Sequence, residues 1–147
     1  MKNYLTGFAA LVILFFIGYH FWTAVSFDNI KYIKIANQEI KVELALTSEQ
    51  KEKGLGGRSE LGEDTGMLFI FEKPGKYSFW MKDMNFPIDI IWFDENLKVI
   101  YIQKNAMPES YPETYGPNEN AKYVLEVVAG FADKNNLQLG DSVLFTY

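Results

Sequence analysis

Cysteine is absent from the 147 residues, and the single histidine, His20, sits in an apolar N-terminal run. The first absence excludes disulfides, thiolate metal sites, cysteine nucleophiles and a lipid-anchoring cysteine. The second leaves the chain after residue 27 without an imidazole, so Ser–His and Cys–His catalysis and histidine-bound zinc fail on inventory alone. Positive charge is scarce as well. The formal charge is −5, and residues 1–27 hold one lysine and no acid, which leaves 13 basic against 19 acidic residues, or −6, for the rest. Neutralising phosphates takes a basic face, so this balance argues against a nucleic-acid partner. The glycines of "KGLGGR" lack the Gly-Lys-Ser/Thr ending of a phosphate loop, and no EF-hand spacing occurs. No cofactor and no metal are expected.

Apolar residues are plentiful. At 48 % hydrophobic and 16 % aromatic, 147 residues suit one packed domain rather than two or a disordered chain. The longest apolar run is Leu5 to Phe27, 23 residues without a formal charge. As a helix it measures about 34 Å, enough to cross a hydrocarbon core of about 30 Å. Tyr4, Tyr19 and Trp22 suit the membrane interfaces. The expected organisation is a short tail over 1–4, a transmembrane anchor over 5–27 and one globular domain over 28–147. The alternative is a signal peptide cleaved near Ala24-Val25-Ser26, which would release a secreted domain. Lys2 precedes the run and Lys31, Lys34 and Lys41 follow it, so lysine placement does not favour an outside domain.

Period-two alternation marks strands at Lys31–Ile35 and Glu39–Leu46, joined by a turn at "ANQE". Thr47 and Gln50 form a capping box that starts a short polar helix, ended by Gly54, Gly56 and Gly57, which leave Arg58 on a turn. Further strands are expected at Gly66–Phe71, Tyr77–Asp83, Ile88–Phe93, Lys98–Ala106, Tyr123–Val128 and Ser142–Thr146. "EKPGK" and "DENLK" read as turns, residues 107–120 as a long loop with three prolines, and "AGFADKNN" as a short helix or turn. The fold class is therefore mainly β (α+β): a barrel- or sandwich-like domain of about seven to eight strands with one or two short helices.

The densest stretch is "FWMKDMNFPIDIIWFDEN", residues 79–96. Read as a hairpin turning at Met84–Pro87, it places Phe79, Met81, Ile90 and Trp92 on a core face and Trp80, Ile91, Lys82 and Asp89 on the other, with Lys82 opposite Asp89. Glu126 in "YVLEVV" shares a side with Val124 and Val128 and requires either water or a cation, for which Arg58 and Lys82 are the candidates. Arg58, Trp80, Lys82, Asp89 and Glu126 are thus the candidate ligand-binding residues. Each also has a structural reading: a solvated cross-strand pair, a loop-pinning salt bridge, an edge carboxylate.

"GLGGRSELGEDTGMLFIF", "FWMKDMNFPIDIIWFDEN", "NAMPES" and "YVLEVVAGFADKNNLQLGDSV" resemble, in order, the successive blocks of the bacterial and archaeal family called domain of unknown function 192. The resemblance covers about Lys41 to Phe145. Gly56 stands where the family usually has methionine, and Asp83-Met84 where Asn-Thr is common. The resemblance implies a compact, mainly β fold, and its frequent signal or anchor segments imply an extracytoplasmic domain. It carries no established activity or catalytic residue. Arg58, Trp80, Lys82, Pro87, Asp89 and Glu126 fall on its motif positions.

The expected function is a membrane-tethered extracytoplasmic binding module. Trp80, Tyr111 and Tyr115 would supply flat faces, and the charged residues directional contacts, for a sugar, a cell-wall fragment or a peptide. One alternative is a hydrolase with paired carboxylates from Asp89, Glu126 and Asp83 as its catalytic candidates. Another is an interaction domain for an envelope protein.

Overall fold

In the computed structural model, residues 27–147 are described. The expected anchor over 5–27 therefore lies outside the described residues except for its last residue, Phe27. That residue begins a 3-10 turn over Phe27–Asn29 and packs edge-on against Tyr123, with ring centroids 6.2 Å apart. Among the described residues no helix is long and apolar enough to cross a membrane.

The fold is mainly β: nine strands, most of them in one curled half-barrel sheet, with two short helices. The strands are β1 (Tyr32–Ile35), β2 (Gln38–Ala45), β3 (Thr65–Gly75), β4 (Phe79–Trp80), β5 (Ile88–Phe93), β6 (Val99–Ala106), β7 (Thr114–Tyr115), β8 (Ala121–Val128) and β9 (Leu144–Thr146); the helices are α1 (Ser48–Lys53) and α2 (Phe131–Lys134). Seven strands form the main sheet in the order β6-β5-β8-β3-β2-β1-β9, while β4 and β7 form a separate ribbon. Near one rim the sheet bends round to meet itself: the Val99 N–H donates to Asp141 at 3.0 Å and the Val143 N–H to Leu97 at 3.0 Å.

Local signals act as the residues dictate. Ala36 and Asn37 both take positive φ (47° and 61°), which gives the two-residue turn whose twist suits a hairpin between β1 and β2. The Thr47 hydroxyl accepts from the Gln50 N–H at 3.2 Å, and the Gln50 side chain accepts from the Thr47 N–H at 2.9 Å, so the capping box opens α1.

Two expectations require correction. "EKPGK" does not turn the chain; β3 runs on to Gly75, with its ladder to β8 interrupted between Ile70 and Gly75, where Pro74 needs no partner. The expected 79–92 hairpin does not form either. Both edges of β5 are occupied, by β6 on one side and β8 on the other, so residues 77–83 have no ladder left to join. Only Phe79 and Trp80 remain extended, paired with Tyr115 and Thr114, and the chain turns at Asp83, where φ is 58°. Lys82 and Asp89 are therefore not cross-strand partners.

The sheet has two buried faces. Ile33, Ile35, Ile40, Val42, Leu68, Ile91, Phe93, Leu125 and Val127 fill the inside of the curl together with Phe131, Leu137 and Val143. Met67, Phe69, Ile90, Trp92 and Val124 form the outer face, covered by Leu55, Met81 and the flanking Phe79 and Tyr77. Leu55 is there because β2 and β3 are parallel neighbours, while Tyr77, Phe79 and Met81 come from the segment after β3. Parallel neighbours need a crossover, and residues 46–64, with α1 and the glycine turn, supply it across the outer face.

Candidate functional site

One row of residues crosses the outer face in register: Glu43 on β2, Met67 on β3, Glu126 on β8 and Ile90 on β5. Glu126 thus lies on an interior strand of the sheet, neither at an edge nor in water, and is 4 % exposed. Among the described residues its Oε2 has no hydrogen-bond partner. Burial drives its pKa up to about 8, while the charge of Arg58 and a hydrogen bond from the Leu55 backbone act in the opposite direction. At neutral pH this carboxyl is mainly protonated and can donate.

The crossover comes close to it. The Gly54 N–H bonds the Gln50 carbonyl at 2.9 Å and closes α1. Gly54 then takes φ 51°, ψ −134°, a conformation that disfavours a residue with a Cβ. Its backbone turns over Glu126: a Cβ built there would lie 3.5 Å from Oε2. Leu55 follows, fully buried. Gly57 donates to the Asp83 carbonyl at 2.8 Å and Asn85 Nδ2 to the Arg58 carbonyl at 2.8 Å, which ties the glycine turn to the 81–86 loop.

The opposite wall hangs from the sheet by aromatic contacts. Trp92 Nε1 donates to the Tyr77 carbonyl at 2.8 Å. Phe79 sits edge-on to both Phe69 (4.8 Å) and Trp92 (5.7 Å). Tyr77 stacks flat on Phe71, centroids 3.5 Å apart.

Between these walls lies a cavity of about 310 Å³. Glu126 is at its base. Leu55, Phe71, Tyr77, Phe79, Trp80 and Met84 give it apolar sides, and Lys51, Lys53, Lys76 and Lys82 line it with Glu52. The Lys82 ammonium lies 5.8 Å from the Trp80 ring and the Lys51 ammonium 4.9 Å from the Phe71 ring. Trp80 is 42 % exposed and meets Tyr111 edge-on at 6.0 Å.

Of the five candidate ligand-binding residues, Trp80, Lys82 and Glu126 share this cavity. Arg58 stands beside it: its guanidinium grips both carboxylate oxygens of Glu43 at 2.7 Å, pinning the glycine turn to β2. That pair raises the Arg58 pKa and lowers that of Glu43. Asp89 belongs elsewhere. As the neighbour of Ile90 on β5 it points to the inner face, 0 % exposed, where Oδ1 accepts from the Asn105 N–H and Oδ2 from the Ala132 N–H, both at 2.8 Å. The second bond satisfies an otherwise free donor in the first turn of α2. The structure therefore places Asp89 and Glu126 on opposite faces of the sheet, and Asp83 is exposed on the 81–86 loop. Tyr115 pairs with Phe79 in the ribbon, and neither it nor Tyr111 lines the cavity. Among the described residues no group of three or more His, Cys, Asp or Glu side chains is placed to hold a metal.

Residues 51–55, Lys76 and Met84 were not legible as site residues. The capping box announces α1 but carries no sign that the helix ends over Glu126. The signal that points there is the parallel β2–β3 pair, whose crossover must pass over a face of the sheet.

The family model DUF192, described as "Uncharacterized ACR", matches residues 31–145. No curated protein matches. Among solved structures, the chain is similar to a protein of unknown function from Novosphingobium aromaticivorans, with 32 % identity, a TM-score of 0.73, and 78 % of this chain and 84 % of that one covered. It is also similar to a protein described as a candidate transcription regulator from Sinorhizobium meliloti, with 30 % identity, a TM-score of 0.72, and 78 % of this chain and 90 % of that one covered.

Proposed function

The chain belongs to the DUF192 family, which brings no reaction to transfer, and from the site itself we propose that the domain is a binding module for a small polar ligand. One observation carries this reading: a nearly fully buried carboxyl, with one oxygen unpartnered, at the base of an aromatic-walled cavity of about 310 Å³. A native fold seldom leaves a buried polar atom unsatisfied, and a ligand group reaching that depth satisfies it. The cavity volume falls at the lower end of the range of about 300–1,000 Å³ that small-molecule sites occupy. Tyr77, Phe79 and Trp80 provide ring faces or edges for the ligand body, and Glu126 and Lys82 provide polar contacts.

In this reading residues 5–27 tether the module to a membrane, with the domain on the extracytoplasmic side. The uncharged 23-residue run supports the tether, and the extracytoplasmic side is the expectation carried by the family resemblance. A hydrolase with paired carboxylates has less support, because Asp89 and Glu126 face away from each other across the sheet.

The test is calorimetric titration of the full chain, in detergent micelles, with methyl glucoside, N-acetylglucosamine, glucuronate, glucose 6-phosphate and a muramyl dipeptide. At least one should bind, and Glu126→Leu and Trp80→Ala should each weaken it about tenfold or more, with Leu139→Ala at a distant exposed site unchanged. Binding by none of the five, or equal binding by both pocket variants, overturns the reading.

A further inference from the structure

We infer that the ligand of this cavity is anionic: a hydroxylated small molecule whose carboxylate or phosphate meets the lysines of the rim while a hydroxyl end reaches Glu126. This rests on the binding-module reading and narrows it to one chemical class.

The argument starts from charge. Residues 28–147 carry a net −6, so an arbitrary patch of this surface should be acidic. The cavity reverses that sign: Lys51, Lys53, Lys76 and Lys82 line it against Glu52 and the buried Glu126. None of the four lysines takes part in a salt bridge among the described residues, a condition they share with six further lysines; what sets them apart is that they line one cavity. Four unpaired ammonium groups around one concavity repel one another, and an anion relieves that repulsion.

Two of these lysines are held, not merely nearby. Lys82 is over the Trp80 ring and Lys51 over the Phe71 ring. Burial lowers the Lys51 pKa, with Glu72 acting against it, so this ammonium is partly stripped of water without a hydrogen-bonded counter-charge. The base of the cavity fits the same ligand. An ionised carboxylate there would repel an anion, but burial holds Glu126 largely protonated below about pH 8, as a donor to a ligand oxygen. Cations at the mouth and a neutral carboxylic acid at the base make a site with two ends, one for charge and one for a hydroxyl.

Calorimetry on the full chain in detergent micelles at mildly acidic pH tests this with three glucose derivatives, two charged at C6 and one neutral: glucuronate, glucose 6-phosphate and methyl glucoside. Glucuronate or glucose 6-phosphate should bind about tenfold or more tightly than methyl glucoside, and whichever is favoured assigns the anion as carboxylate or phosphate. Raising the salt should erode that preference. So should the double variant Lys76→Gln/Lys82→Gln, whose two positions are exposed and whose thermal midpoint should stay at the wild-type value. Methyl glucoside binding as tightly as both charged probes overturns the anionic ligand and leaves the binding module standing. A preference that survives both high salt and the double variant also overturns it. Binding by none of the three removes the inference, and the broader panel above then decides the binding module separately.

Discussion

Asp89 and Glu126 are the two buried acids of the described domain, on adjacent strands and a single residue apart in register, yet they sit in opposite circumstances. Asp89 faces into the curl, and both its oxygens accept backbone N–H groups, one of them at the first turn of α2. Glu126 faces outward beneath the crossover, with an oxygen that has no hydrogen-bond partner among the described residues. The first is what a carboxylate looks like when the fold uses it. The second is what one looks like when the fold leaves it for something else. Burial alone does not separate the two roles; hydrogen-bond satisfaction does.

The sharpest way to break that contrast is Asp89→Ala. It leaves the buried Ala132 N–H without an acceptor, at about 1–3 kcal/mol, and removes the hydrogen bond to the N–H of the exposed Asn105, at about 0.5–1.5 kcal/mol, so a total of about 1.5–4.5 kcal/mol should be lost in chemical denaturation. A loss below about 1 kcal/mol would mean that Asp89 is not the structural member of the pair.

Glu126 should respond chiefly to pH. Its folded pKa of about 8 lies above the unfolded value, so the folded state holds a proton that the unfolded state releases. Its contribution is fully present below the unfolded carboxylate pKa and falls as pH rises through about 8. The loss across that window is on the order of several kcal/mol. Thermal midpoints of the wild-type chain should therefore decline between mildly acidic and mildly alkaline pH, and Glu126→Gln should flatten the decline. An equal slope in the variant would assign the pH dependence to other groups.

The smallest effect belongs to Arg58 and Glu43, and its sign is reversed. The Glu43 pKa is lowered by its hydrogen bonds to Arg58, so the pair stabilises above the unfolded carboxylate pKa and loses this as pH falls through the folded value. Both side chains are substantially exposed (35 % and 63 %), so Arg58→Ala should cost only about 0.5–1 kcal/mol, less at high salt. The same variant removes a cation that opposes the rise in the Glu126 pKa, so the pH-dependent decline should move to higher pH. No movement would show that Arg58 does not reach Glu126 electrostatically.

Much of the fold was legible because its causes are local. Alternation of Ile40 and Val42 with Lys41 and Glu43 marks β2 within four residues. Thr47 and Gln50 mark the start of α1 within one turn. The candidate site was legible only in part. Trp80, Lys82 and Glu126 share a cavity, but the hairpin that linked Lys82 to Asp89 does not exist, because β5 already has β6 and β8 as neighbours. Strand pairing is a competition among the whole set of strands, and one segment cannot reveal which partner wins.

Read alone, the residues determined the β-rich class, the polar helix with its cap, the lack of an imidazole after residue 27 and the uncharged N-terminal run. Each depends on composition or on contacts a few positions apart. The tertiary structure decided which carboxyl is satisfied and which is stranded, that the crossover from β2 to β3 roofs Glu126, and that two lysines of α1 meet Lys76 and Lys82 around one cavity in an acidic domain. Those outcomes depend on groups brought together from positions as far apart as residues 51 and 126, where the free energy of each depends on neighbours the chain supplies only once it is folded.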